Sequence, residues 1–227
     1  MRARRALSWA ASGAAVGLFM VVASGRASRA SDHEDGPSTR IDPATDLTDV
    51  FAFMKPTLAD GGGYAPSTRL VAALTVYPNA PATARFDPSA DYQLNFTASA
   101  SDPTNGVIAP YKLDVTLTCR FGEPRDGGHQ PFVCSCNGRF FSGETETVDS
   151  DEAKPFRVFA GRRADPAFGA IGSAEKAIAA GTKPPPGPNE RAGQNVLAIV
   201  AELDVGVIFT DGGHPLLSVS ASTARGQ

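Results

Sequence analysis

An antiparallel β-sandwich, jelly-roll-like and carrying one or two short helices, is the fold class this sequence predicts, on three observations. Tyr111 to Phe121 alternate apolar and polar side chains over a full strand length, the period of two that leaves one face buried and the other wet. Asn195 to Ala201 is almost entirely apolar, which suits a central strand covered on both sides. Clusters of Gly, Pro, Asn and Asp separate the runs at turn spacing, whereas a helical pattern is convincing at one place only.

Taken in chain order, Asp46-Leu47-Thr48-Asp49-Val50-Phe51-Ala52-Phe53 reads as the first core strand. Leu70 to Tyr77, Tyr92 to Thr97 and Tyr111 to Phe121 read together as a sheet meander, turned at Pro78-Asn79 and across Asp102 to Gly106. Gly122 to Gln130, with its Asp126-Gly127-Gly128, is a hairpin loop leading into Phe132-Val133-Cys134. Gly138 to Phe141, Glu144 to Val148 and Phe156 to Ala160 are shorter strands. The helix begins at the capping residue Ser173, runs through Ala174 to Ala180 and ends at Gly181. Thr182 to Asn189 holds four prolines and forms a stiff exposed connection. Asp211-Gly212-Gly213 turns the chain, and Leu217 to Thr223 closes the sheet.

Residues 1–30 have the composition of an export leader. Arg2, Arg4 and Arg5 precede an uncharged, mostly apolar stretch from Ala6 to Ser24, and Ser28-Arg29-Ala30 offers small residues before a cut that leaves Ser31 as the new terminus. Residues 31–227 then form a single domain, without a stable membrane anchor, in the periplasm or outside the cell. The leader contains five arginines and no acid, so its removal leaves 16 basic residues against 24 acidic ones, a net charge of −8. Such a surface repels phosphate backbones and argues against a nucleic-acid partner. The sole tryptophan, Trp9, departs with the leader.

Three cysteines make an odd number for an oxidising compartment. Cys119 pairs across a hairpin with Cys134 or with Cys136, leaving one thiol over. A metal pair at Cys134 and Cys136 would need ligands that the sequence supplies nowhere nearby except at His129.

The densest chemistry lies at the expected mature start, where Asp32, His33, Glu34 and Asp35 are followed by Asp42, Asp46 and Asp49. These oxygens suit a divalent cation such as calcium, and the imidazole would shift preference towards a transition metal. The pattern has no EF-hand spacing, and the same residues also serve as turn caps and backbone acceptors. A metal site is expected where Asp32, His33 and Asp49 meet Asp165 on one face, with Asp46 and Arg163 as ligand-binding or structural neighbours. Arg163 and Asp165 are read as an ion pair fixing the loop before Pro166, or as a bidentate clamp on a carboxylate. His129 and His214, each beside a Gly-Gly turn, read as exposed loop residues. No Gly-x-Ser-x-Gly elbow is present, Gly61-Gly62-Gly63 lacks the lysine of a phosphate loop, and the sequon Asn95-Phe96-Thr97 lies within a strand.

These motifs give the chain a resemblance. Ser31-Asp32-His33 with Pro37, then Thr48-Asp49-Val50-Phe51-Ala52-Phe53, resemble the opening of a bacterial family known only as domain of unknown function 4331. Gly161-Arg162-Arg163-Ala164-Asp165-Pro166-Ala167-Phe168 is similar to a second block of that family, with Ala164 replacing an aspartate and Ala167 an aromatic. Gly193 to Ile199 followed by Glu202-Leu203 is similar to its asparagine-valine strand. The resemblance implies an exported protein and no particular activity, and Ala164 leaves any shared acidic site one carboxylate poorer.

The reading that requires least is a non-catalytic binding or structural β-domain stabilised by a cation. The alternative is a metal-dependent hydrolase or oxidoreductase built on His33 and the carboxylates. Carbohydrate recognition on an aromatic platform is disfavoured, because the mature chain has no tryptophan.

Overall fold

The chain divides into two units, residues 1–30 and 31–227. The structure, a computed structural model, describes residues 41–55, 57–58, 64–65, 67–101, 108–165, 180–181, 191–208 and 216–225. Asp32, His33 and the rest of the expected mature start therefore lie outside the described residues. So do Pro166 to Phe168, nearly all of the expected helix, and His214.

Two antiparallel sheets form a sandwich. The first contains β1 (Leu47–Met54), β4 (Arg69–Val76), β9 (Phe156–Ala164) and β10 (Asn195–Asp204), in the order β1-β4-β10-β9. The second contains β5 (Ala90–Ser101), β6 (Ile108–Phe121), β7 (Pro131–Cys136), β8 (Arg139–Glu144) and β11 (Leu216–Arg225), in the order β11-β5-β6-β7-β8. A small ribbon pairs β2 (Thr57–Leu58) with β3 (Tyr64–Ala65), and one helical turn, α1 (Val205–Ile208), follows β10.

Period-two patterning sets which side chains face inward. Leu70, Ala72, Leu74 and Val76 of β4 meet Leu197, Ile199, Ala201 and Leu203 of β10, while Tyr92, Leu94, Phe96 and Ala98 of β5 meet Leu117, Cys119 and Phe121 of β6. β10 is covered on both faces over Val196 to Ile199, all of which are buried, as its apolar run predicts. A chain of aromatic rings links the layers. Phe86 stacks on Phe121 at 3.9 Å between centroids, Tyr92 meets both edge-on, and Phe132, Phe141 and Phe156 continue the series into β9.

Three expectations are corrected. Leu70 to Tyr77 does not join the meander; it crosses to the four-stranded sheet and pairs with β1 and β10. Strand β1 is an edge rather than a core strand, with Val50, Phe53 and Met54 exposed. Glu144 to Val148 is not a separate strand. β8 ends at Glu144, Thr145 turns back to bond Gln130, and Glu146 adopts φ +66°, which breaks extended structure.

The segment 77–89 crosses from β4 to β5 and closes one end of the sandwich with buried Ala80, Ala84 and Phe86. It belongs to neither sheet, so its main-chain groups need other partners. Gln130, fully buried, supplies them. Its Oε1 accepts from Phe86 N (2.9 Å), while its Nε2 donates to Phe86 O (2.8 Å) and Gly122 O (3.0 Å). Gln130 is itself held through Thr145, whose Oγ1 accepts from Gln130 N and whose N donates to Gln130 O. At the neighbouring corner the buried Tyr92 hydroxyl donates to Ala44 O and accepts from Asp87 N, and Arg225 of β11 pairs with both Asp42 and Asp87.

Cys119 and Cys134 are directly opposed on β6 and β7 and form a disulfide; Cys136, opposite Leu117, stays reduced and buried. Burial pushes the Cys136 thiol up to about 11, out of the nucleophilic range. Two predictions follow from this packing. Replacing Gln130 with Leu strands two carbonyls and one amide in the interior and should lower stability by about 2–4 kcal/mol in urea titration. Replacing Cys119 and Cys134 together with Ala should cost roughly 3 kcal/mol, the loop-closure value for their 15-residue separation, while native-state thiol labelling of Cys136 stays slow in the disulfide-intact protein.

Candidate functional site

The end of the sandwich closed by the crossover segment also carries a cleft of 280 Å³, where four pieces of chain converge. The crossover brings Arg85, the β6–β7 loop brings Gly127, Gly128 and His129, the turn after β8 brings Glu146, and β9 brings Gly161 and Arg162. Each is fixed locally. Phe156, Val158 and Ala160 mark the inward phase of β9, and Arg162 continues that phase to the rim of the core. Its Nε donates to Ala80 O (2.9 Å), which leaves Nη1 and Nη2 without partners among the described residues. Arg85 Nη1 donates to Ala82 O and Ala84 O, and its guanidinium lies where a Cβ on Gly128 would sit, 1.9 Å from Nη2. Gly128 also has φ +79°, so glycine satisfies both the backbone and the close approach.

His129 is exposed, as expected of a loop residue, but its ring is anchored: Nδ1 lies 2.8 Å from Thr145 O. A carbonyl can only accept, so the proton sits on Nδ1 and Nε2 of the neutral ring presents a lone pair. Glu146 works along the free edge of β9. Its N donates to Ala160 O, Oε1 accepts from Arg162 N, and Oε2 accepts from Arg163 Nη1 at 2.8 Å. The left-handed backbone at Glu146 costs on the order of 1–3 kcal/mol; these bonds, which also block the sheet edge, offset it. Gly161 leaves room for this carboxylate, since a Cβ there would meet Glu146 Oε1 at 2.6 Å and displace it.

Of the residues expected to form a metal site, Asp32 and His33 lie outside the described residues, and Asp49 and Asp165 are placed on or beside different strands. Asp49 lies on β1 opposite Thr75, next to a register shift, and Asp165 follows β9, where its N donates to Gln194 O. These strands are at opposite edges of the sheet, with β4 and β10 between, and Asp165 is fully buried. Asp46 is buried at the start of β1, where its carbonyl accepts from Tyr77 N. The carboxylate against Arg163 is Glu146, and the guanidinium also covers the Phe159 ring at 3.9 Å, so the expected role for Asp165 there is replaced. Among the described residues no group of three or more His, Cys, Asp or Glu converges as metal ligands.

Arg85, Arg162 and Glu146 escaped the sequence reading, and Gln130 was read only as the end of a loop. One available signal was Arg162, a charge at a position whose strand phase is otherwise apolar. Two other charged clusters among the described residues pair internally. Glu202 is held by Arg157 (2.7 Å) and by Lys55 and Arg69, tying three strands and the end of β1 together. On the outer face of the five-stranded sheet Arg120 closes on Asp91, Thr116 on Asn95 and Thr97 on Asp114.

Burial alone would raise the Glu202 carboxyl, but the hydrogen bond and charge of Arg157, joined by Lys55, prevail and lower it below the ordinary 4.5. Its contribution is therefore present above that value and is lost as pH falls through the lowered one. Urea midpoints measured against pH should show Glu202→Gln least stable relative to the parent near neutrality, with the difference shrinking below about pH 4.

No family model matches the chain, and no curated protein or solved structure matches it.

Proposed function

We propose that this is an exported, non-catalytic binding β-domain whose ligand is taken at the Arg85–His129–Arg162 cleft. One observation carries the reading: two guanidinium groups are pre-oriented by main-chain carbonyls, yet retain N–H donors with no partner among the described residues. Preorganised donors around a small concavity serve binding, because little side-chain entropy is left to lose. The cross-strand disulfide supports an oxidising, extracytoplasmic location, as does the leader-like composition of residues 1–30. Membership of the domain of unknown function 4331 family belongs to the same proposal and rests on the quoted motifs.

Cation stabilisation belongs to the same proposal and draws on Asp32, His33, Asp49 and Asp165. Metal analysis of the purified protein, combined with thermal unfolding in the presence of small anions, tests the reading. The expected result is a midpoint raised by anions, with any bound metal being calcium that is lost in Asp49→Ala. Stoichiometric iron, copper or zinc would instead overturn it in favour of the metal-dependent hydrolase or oxidoreductase.

A further inference from the structure

The cleft has a chemical signature more specific than positive charge, and the inference drawn from it rests on the binding reading above. Arg85 and Arg162 line it with N–H groups unused among the described residues. Glu146 lines it too, but its carboxylate is engaged by Arg163 Nη1 and by the Arg162 amide. The local balance is therefore cationic, on a chain whose residues 31–227 sum to −8. A general polyanion would be repelled by that surface, whereas a single small anion reaching this one concavity would not. Guanidinium forks match the paired oxygens of an oxyanion.

His129 adds a second requirement. With Nδ1 committed to Thr145 O, Nε2 of the unprotonated ring can only accept a hydrogen bond, and a bare oxyanion gives that form nothing. A ligand that sets a hydroxyl beside its oxyanion satisfies all three side chains together. The volume of 280 Å³ lies just below the roughly 300–1,000 Å³ of drug-sized sites and selects a small ligand. We infer that the cleft binds a small hydroxylated carboxylate, a hydroxy acid or an acidic sugar, with the carboxylate on Arg85 and Arg162 and a hydroxyl donated to His129 Nε2. Recognition of this kind needs no aromatic platform, so the absence of tryptophan from residues 31–227 does not weigh against it.

Calorimetric titration of the purified protein with glucuronate, lactate, acetate and inorganic phosphate, at matched ionic strength, tests the inference. Glucuronate and lactate should bind saturably and more tightly than acetate or phosphate. Arg162→Ala and Arg85→Ala should each weaken them about tenfold or more, and Arg162→Lys should recover the fold but not the affinity. Replacing His129 with Ala should abolish the preference for lactate over acetate. A control at Arg120→Ala, which pairs with Asp91 and does not line the cleft, should leave all affinities unchanged. Tighter binding of phosphate, an unaltered lactate preference without His129, or equal losses at Arg120 would each overturn the assignment. Saturable binding that ignores Arg85 and Arg162 would refute this cleft while leaving a binding domain in place; turnover of a bound compound would refute the non-catalytic reading itself.

Discussion

The amide of Gln130 on the main chain of Phe86 is the constraint on which the rest of this molecule depends. A sandwich whose strands change sheets must pass chain across an open end, and that chain carries polar groups into the core boundary without a strand to pair them. Here one side chain imitates a strand, giving Phe86 both a donor and an acceptor and taking Gly122 O as well. With Phe86 fixed, its ring stacks on Phe121 and orders the aromatic series leading to β9. Arg85, one residue earlier, is placed at the cleft by the same bonds. The core and the site therefore share one anchor, and a change to either is felt by both.

Charge is distributed with comparable economy. The partly buried Glu202 is surrounded by three cations that cancel it, and the outer face of the five-stranded sheet pairs its own charges and amides. Exposed pairs such as Arg163–Glu146 contribute little to stability by themselves. That pair has a different consequence: it neutralises the Glu146 carboxylate that lines the cleft and keeps it along the β9 edge. The strained backbone at Glu146 and the missing side chain at Gly161 are two halves of that arrangement. What remains facing the cleft is cationic, because its acid has been diverted.

Much of the fold was readable because strands advertise themselves locally. The eleven-residue alternation before Phe121 marks β6, and the apolar run after Asn195 marks β10, including its two buried faces. The spacing around Cys119 restricted its partner to Cys134 or Cys136. Side-chain phase could not choose further, since residues two apart face the same way; the β6–β7 register chose Cys134. β1 looked like a core strand because aromatic content signals burial, but an edge position leaves Phe53 more than half exposed.

The sequence by itself determined β6 and β10 with their inward faces, the two-layer class and the near-surface place of His129. Tertiary structure alone decided which strands share a sheet, and with that it decided the chemistry. Asp49 and Asp165 are placed on or beside strands at opposite edges of one sheet by the pairing of β4 and β10 between them. Arg85, His129 and Arg162 lie in three separate stretches of sequence and meet only because the crossover, a hairpin loop and β9 end at the same corner. The physical reason is that strand patterning is a nearest-neighbour property written in side-chain alternation, whereas strand pairing is a non-local choice settled by total burial and hydrogen bonding.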